Sequence, residues 1–440
     1  MQSNALLARA LARAFLAGTL DVDGLVDRGA RLLGRRSRWL GPLARRLCNA
    51  FQDGSHPRQR DVIRFILRDS GFLAAASEYH LELVDRLHAP PAMNPVAAAL
   101  AWKVPTLLSP GDLSDWLGLT VSELDWFADR RSFEHKRNPG RLRNYHYRTL
   151  AKRFGQVRLI EAPKPRLKDL QRRILIGILE HVPPHAAAHG FQQGRSIKTF
   201  AAPHAGRHVV LRLDLQDFFP SISAARIQAL FRTVGYPECV ADILAGLCTN
   251  SAPVDIWKDA ASFLPGLRMR EVCSLYSTPH LPQGSPTSPA LANLCAYRLD
   301  CRLSGLASSA GAVYTRYADD LAFSGDRDFE RIAKRFQLHA CAIAMEEGFS
   351  VHHRKTRIMH RGMRQRLAGI VVNQHPNVPR ADFDRLKATL TNCLRYGAAS
   401  QNRTGHEDFR GHLLGRVSFV AMINPARGER LRKLFEQIAW

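Results

Sequence analysis

The sequence predicts an α+β architecture preceded by an α-helical extension. Three observations predict it. The first hundred residues are rich in Ala, Leu and Arg, with apolar residues at helical spacing. From about Tyr145 to Val372 short β-rich runs alternate with helical ones. After Pro379 the helical periodicity returns.

In the extension, Leu6, Leu7, Ala10, Leu11 and Ala14 recur at helical spacing, with Arg9 and Arg13 between them. Gly41-Pro42 and His56-Pro57 punctuate the stretch, and Pro90-Pro91 with Pro95 mark a linker. Residues 1–100 therefore read as a helical domain without a chemical motif. Residues 101–145 read as a helical linker region. Within it, Asp112–Asp129 forms two short helices, the first capped by Asp112 or Ser114, the second by the capping box Thr120-Val121-Ser122-Glu123. That shape invites a DNA-reading role, but the second segment is acidic, so a packing element is expected. Residues 146–378 carry the mixed part, with a strand at Val157–Ile160 and a helix at Leu167–Leu179. Residues 379–440 are helical, with Phe383, Leu386, Leu390 and Leu394 on one side and a last helix at Glu429–Ile438.

The chain has 440 residues, 45% of them hydrophobic and 23% charged. This excludes low-complexity disorder, collagen and a polytopic membrane protein. No apolar run approaches the ~18 residues of a membrane span. Lys and Arg number 63 against 39 Asp and Glu, a net charge of +24. An excess of that size implies a polyanionic partner, nucleic acid first. The eight cysteines form no C-x-x-C and no zinc spacing, and read as reduced thiols of a cytoplasmic protein. Arg9 and Arg13 interrupt the apolar start, against a secretory leader. The histidines, His352-His353 included, show no metal-site spacing and read as surface or RNA-contacting.

Three segments carry chemistry. In Leu211-Arg212-Leu213-Asp214-Leu215-Gln216-Asp217-Phe218-Phe219, strand alternation sends the three leucines to the core and puts Asp214 on the other face. A carboxylate inside so apolar a strand is costly without a cation to serve, although a strand-end Asp also caps helices. Val313–Phe323 reads as strand, tight turn, strand, with the adjacent Asp319 and Asp320 near the turn. Neighbouring carboxylates repel unless a metal lies beside them. Asp214, Asp319 and Asp320 together would make an all-oxygen site for two Mg²⁺ ions ~3.5–4 Å apart, suited to phosphoryl transfer. Between these segments, Leu281-Pro282-Gln283-Gly284-Ser285-Pro286-Thr287-Ser288-Pro289 makes a rigid loop leading into a helix Ala290–Leu303.

Together the three segments resemble one family, the reverse transcriptases, in order and spacing, from about Arg158 to Asn373. The resemblance implies a right-hand polymerase, with fingers and palm over 146–378 and a thumb over 379–440. It implies RNA-directed DNA polymerase activity on dNTPs, with Asp214, Asp319 and Asp320 as the catalytic, metal-binding triad for two Mg²⁺ ions. Leu215, Gln283 and Gly284 would line the nucleotide pocket, and Phe219 would lie under the incoming sugar and exclude a 2′-hydroxyl. Lys355, in the segment Gly348-Phe349-Ser350 to Lys355-Thr356, would protonate the leaving pyrophosphate or stand as a solvated lysine. Arg158, in Arg158-Leu159-Ile160-Glu161-Ala162-Pro163, and Arg195, after Ala188-His189-Gly190-Phe191, would contact triphosphate or template.

Within the family the chain resembles bacterial retron enzymes through Ala188–Ile197, Pro203-His204 and Asp214–Ile222. It departs from them where Phe200-Ala201-Ala202-Pro203-His204 stands for Asn-Ala-x-x-His, and Leu367-Ala368-Gly369 for Val-Thr-Gly. The likeness implies a structured non-coding RNA as template and primer, an RNA-linked single-stranded DNA product (msDNA), antiphage defence and a possible effector protein. Other readings are a group II intron-like or abortive-infection reverse transcriptase, and an RNA-binding scaffold whose polymerase site has lapsed. An RNA-dependent RNA polymerase is a further option, against which the aromatic Phe219 argues.

Overall fold

The computed structural model describes residues 4–51, 57–79, 81–84, 92–136, 142–152, 156–257 and 266–440. Pro90, Pro91 and His56, read above as linker and punctuation, lie outside them. Two compact units form, each from two chain segments: 1–183 with 222–291, and 184–221 with 292–440. Among the described residues no helix is long and apolar enough to cross a membrane.

The first unit begins with five helices between Asn4 and Glu78. They bury one apolar cluster that includes Leu11, Phe15, Leu25, Leu40, Leu43, Ile66 and Phe72. Two aspartates start helices here by accepting otherwise unpaired N–H groups: Asp21 from Gly24 and Asp69 from Phe72. Arg46 in turn grips both oxygens of Asp69 at 2.8 and 2.9 Å. The helical domain is tied to the rest of its unit through polar contacts. Arg232 donates to the Pro57 carbonyl (2.9 Å), and Arg58 to that of Ala225 (3.3 Å).

The two short helices expected near Asp112 are Pro110–Leu117 and Val121–Ala128. Neither Asp112 nor Ser114 caps the first. Ser109 does, and Asp112 closes the capping box from the third helical position, where it can accept the cap's own N–H. The second starts on the Thr120–Glu123 box as expected. It packs on the helix Glu238–Cys248, where a Cβ on Gly246 would come 2.2 Å from the Ala128 carbonyl. β1 (Tyr145–Lys152) and β2 (Gln156–Pro163) then form an antiparallel ribbon. The helix expected at Leu167–Leu179 runs Pro165–Gly177, since proline suits a first helical turn.

The second unit is built on an antiparallel sheet. Its central strand is β3 (Val209–Gln216). The hairpin β4 (Val313–Tyr317) and β5 (Asp320–Gly325) lies on one side, and β6 (Ser350–Val351) and β7 (Arg357–His360) pair with β3 on the other. β8 (Arg366–Leu367) and β9 (Ile370–Val371) form a small hairpin. Its two turn residues, Ala368 and Gly369, both have positive φ (44° and 87°), as a tight two-residue hairpin turn requires. Helices Arg380–Tyr396, Phe409–Ile423 and Pro425–Glu436 follow. They share an apolar core with Val210, Ala322 and Ile370. The expected helix Ala290–Leu303 is two helices, Ser288–Cys295 and Tyr297–Ser309, broken at Ala296.

Three of the histidines read as surface or RNA-contacting are core residues, because each has polar partners that offset the cost of burial. His204, with no exposure, contacts the hydroxyls of Ser324 (2.7 Å) and Thr315 (2.8 Å). His189 faces Thr199 and Arg195. His280 contacts Glu161 at 2.9 Å. Burial lowers His204 to about 3, and burial with the Arg195 charge lowers His189 to about 4. Burial also presses on His280, but the Glu161 carboxylate prevails and holds it above the ordinary value.

His204 is thus neutral when folded and takes a proton on unfolding below its ordinary value of 6.5. Its contribution is complete above pH 6.5 and is lost as pH falls, by about 1.4 kcal/mol per pH unit until the folded value is reached. Urea unfolding at a series of pH values is expected to show a flatter acid limb, by about one proton, in His204→Gln.

Candidate active site

Register delivers the first two carboxylates. β3 and β5 pair so that Asp214 stands opposite Asp320, and opposed residues of an antiparallel pair share a face. Leu211, Leu213 and Leu215 fill the core on the other face. The Leu215 N–H donates to the Asp319 carbonyl (2.9 Å), and the His352 N–H to that of Asp214 (2.7 Å). Asp214 is itself buried, with only 4% exposure.

Two basic side chains answer this charge. Arg212, on the Asp214 face of β3, donates from Nε (2.8 Å) and Nη2 (2.6 Å) to Asp320 Oδ1. Lys355 Nζ donates to Asp214 Oδ1 at 2.8 Å. Among the described residues Asp319 has no ion-pair partner. Burial pushes its carboxyl up to about 6, and the Asp320 and Asp214 charges act in the same direction. Burial also raises Asp320, which Arg212 restrains. Among the described residues no three His, Cys, Asp or Glu side chains stand gathered as a ready metal-binding group.

Asp319 is presented by a two-residue turn in which Ala318 has a φ of 54°, uncommon for a residue bearing a side chain. The support beneath it is a buried cluster. Arg316 and Asp300, both at 0% exposure, pair through Nε to Oδ1 (2.8 Å) and Nη2 to Oδ2 (2.7 Å). Arg316 Nη1 donates to Asn293 Oδ1 (3.0 Å) and to the Ala318 carbonyl (3.2 Å). The Tyr314 hydroxyl donates to Asp300. Asn293 donates to the Gly190 carbonyl (2.8 Å). Gly190 lies so close that a Cβ there would come 2.7 Å from the Ala318 nitrogen.

Beside the carboxylates stands an aromatic wall. Phe219 is half-buried and meets Phe191 and Phe218 edge-on, with centroids 6.1 and 5.7 Å away; Phe191 also lies 6.3 Å from Tyr317. Leu215 is a core residue whose N–H is already used. Arg195 is exposed, yet its guanidinium donates to the Ala186 carbonyl and lies against His189.

Arg158, Gln283 and Gly284 belong to the other unit. Arg158 is exposed on β2. The Gln283 carbonyl accepts from the Glu161 N–H (2.9 Å). Gly284 has a φ of 141°, and a Cβ there would lie 2.7 Å from the Glu161 carbonyl oxygen; both conditions require glycine. Beneath the loop, Glu161 also takes hydrogen bonds from Asn250 and His280. Sequence reasoning missed Arg212, Asn293, Asp300, Arg316, Gly190 and Phe191 as parts of the site. An arginine within an apolar strand, two residues before Ala318, was the available signal for Arg316.

Residues 150–394 match the model of the family described as reverse transcriptase (RNA-dependent DNA polymerase). The chain belongs to the reverse transcriptases and is an RNA-directed DNA polymerase. It is of the bacterial retron type. It is 42% identical over 340 residues to the retron Mx65 reverse transcriptase of Myxococcus xanthus, covering 77% of this chain and 74% of that one. It is 38% identical over 331 residues to the retron Mx162 enzyme of the same organism, covering 72% and 64%. Against the retron Ec86 enzyme of Escherichia coli the identity is 29% over 277 residues, covering 63% and 75%.

Gly190→Ala is expected to displace the Ala318–Asp319 turn while leaving the Arg316–Asp300 pair intact. Steady-state primer extension should show kcat reduced about 10- to 100-fold with little change in KM for dNTP. Arg316→Leu strands a buried carboxylate and should cost about 3–5 kcal/mol in urea unfolding.

Proposed function

We propose that this polymerase copies a structured non-coding RNA in the cytoplasm into single-stranded DNA that stays joined to the RNA, in the service of antiphage defence. The observation that carries the polymerase part is buried Asp214 standing opposite half-buried Asp320 in the sheet, with Asp319, raised to about 6, on the adjoining turn and Arg212 and Lys355 as counter-charges. Relatedness to retron enzymes supports the product. Residues 146–378 act as fingers and palm, 379–440 as thumb, and 1–100 and 101–145 as a helical domain and its linker region. No observation supports the effector protein that the resemblance suggested.

The donor chemistry fits Mg²⁺: the three carboxylates offer only hard oxygens, and among the described residues Asp319 has no ion-pair partner. Asp214, Asp319 and Asp320 would hold the ions, which when bound supply charge for the attacking hydroxyl and the leaving pyrophosphate. Lys355, half-exposed on a flexible stem, can leave Asp214 and hand a proton to the leaving group. Phe219, braced by Phe191 and Phe218, occupies the space of a 2′-hydroxyl and so selects dNTPs. Gln283 and Gly284 contact the incoming nucleotide, and Arg158 contacts template or triphosphate.

Asp319→Asn should lower dNTP incorporation on an RNA template at least about a hundredfold. Normal extension by that variant would overturn the assignment. For the product, the protein is expressed with its flanking genomic DNA, and the extracted nucleic acid is treated with a 2′–5′ debranching enzyme. A mobility shift is expected; a free or protein-linked 5′ end would reject the retron product and leave the polymerase intact. Phe219→Ala should raise ribonucleotide use relative to dNTP roughly tenfold in competition assays.

A further inference from the structure

We propose that Glu161 and His280 are positioning residues for dNTP binding: their buried pair holds the Gln283–Gly284 loop in place, and the hold requires a positively charged His280. The inference rests on the reading that Gln283 and Gly284 contact the incoming nucleotide. Glu161 meets that loop through its backbone. Its N–H donates to the Gln283 carbonyl (2.9 Å), and a Cβ on Gly284 would come 2.7 Å from its own carbonyl oxygen. Any movement of Glu161 is therefore passed to both loop residues. Its side chain, with no exposure, is fixed from two sides. Asn250 Nδ2 donates to Oε1 (2.8 Å) and His280 Nε2 to Oε2 (2.9 Å). The backbones of Asn250 and His280 also exchange two hydrogen bonds of 3.0 Å. Behind the loop, the Ser285 hydroxyl donates to Gln171 at 2.8 Å, so the loop is clamped at both ends.

The charge on His280 follows from what its ring faces. Nδ1 lies 2.8 Å from the Thr278 carbonyl oxygen, and Nε2 lies 2.9 Å from the Glu161 carboxylate. Both partners only accept, so both ring nitrogens carry protons and the ring is an imidazolium. A neutral ring would set a lone pair against one of these oxygens in a site with 1% exposure. The titratable and charged groups around it are Glu161 from β2, the Tyr276 ring edge-on at 5.1 Å, and Tyr147 from β1. The Tyr147 hydroxyl accepts from Asn250 and donates to Glu134; Arg143, over the Tyr147 ring, is already paired with Asp255. Burial opposes the cation and the Glu161 carboxylate outweighs it, so the ring titrates above its ordinary value of 6.5. The hold is therefore complete below 6.5 and is lost as pH rises through the higher folded value.

The test is single-nucleotide incorporation by the full chain on saturating primed RNA template, with kcat and KM for dNTP measured from about pH 6 to 9. Ionisation of the dNTP is common to all variants and cancels in the ratio of variant to wild-type KM. For His280→Gln that ratio is expected to be about ten at the acid end and to fall toward one as pH rises, because wild type loses the same hold. Its kcat should change less than about twofold. In Glu161→Gln the pH at which KM rises should move down, since the carboxylate that favours the charged ring is gone. An unmoved midpoint would overturn His280 as the titrating group. A ratio independent of pH, or a lower kcat with KM unchanged, would make the pair structural only and overturn the inference. Gln283→Ala separates the two readings. Unchanged KM there overturns the nucleotide contact and this inference with it, whereas raised KM there beside unchanged KM in His280→Gln overturns this inference alone. If His280→Gln fails to fold because Glu161 is left without its cation, Glu161→Gln combined with His280→Gln removes both charges and carries the test by the same criteria.

Discussion

The Arg316–Asp300 pair is the interaction on which the carboxylate-bearing end of the second unit depends. Removing two charges from water is expensive, and a bidentate geometry with every remaining donor occupied is what makes it tolerable. Here Nη1 donates both to the Ala318 carbonyl and to Asn293 Oδ1, and the Asn293 amide passes the constraint to Gly190. A turn with Ala318 in an unfavourable conformation thereby becomes a fixed platform for Asp319. A hydrophobic substitute could fill the volume, but it could not hold a carbonyl oxygen in place.

The same economy governs the sheet. Because Asp214 and Asp320 oppose each other in register, a slip of β3 by one residue would turn Asp214 to the core, away from Asp320, and its flanking leucines outward. The leucines of β3 thus protect the position of the aspartates. Arg212 and Lys355 then hold the like charges together at close range.

Much of this was legible in the residues. Alternation along Leu211–Leu215 gave the face of Asp214, and the adjacent aspartates after an apolar strand gave the turn. The Thr120–Glu123 box gave a helix start. What was not legible depends on distant partners. His204 is a core residue only because Ser324 and Thr315, more than a hundred positions away, supply hydroxyls. Asp300 looked like any helix residue until Arg316 lay over it. Gly190 carries no local turn signal; its small size matters because another backbone passes within contact distance. The cap at Ser109 was displaced from the expected Asp112 because a capping box uses both residues, and spacing alone does not say which is first.

The ion pairs on Asp214 and Asp320 make the sheet carry its own compensation. Carboxylates set opposite each other across a strand pair work against that pairing unless a cation answers each. Here Lys355 and Arg212 stand as internal cations, one from the loop beyond β6 and one from β3 itself. The pairing of β3 with β5 is therefore closed by groups drawn from chain segments more than a hundred residues apart, so that the strand ladder and the balance of charge form together.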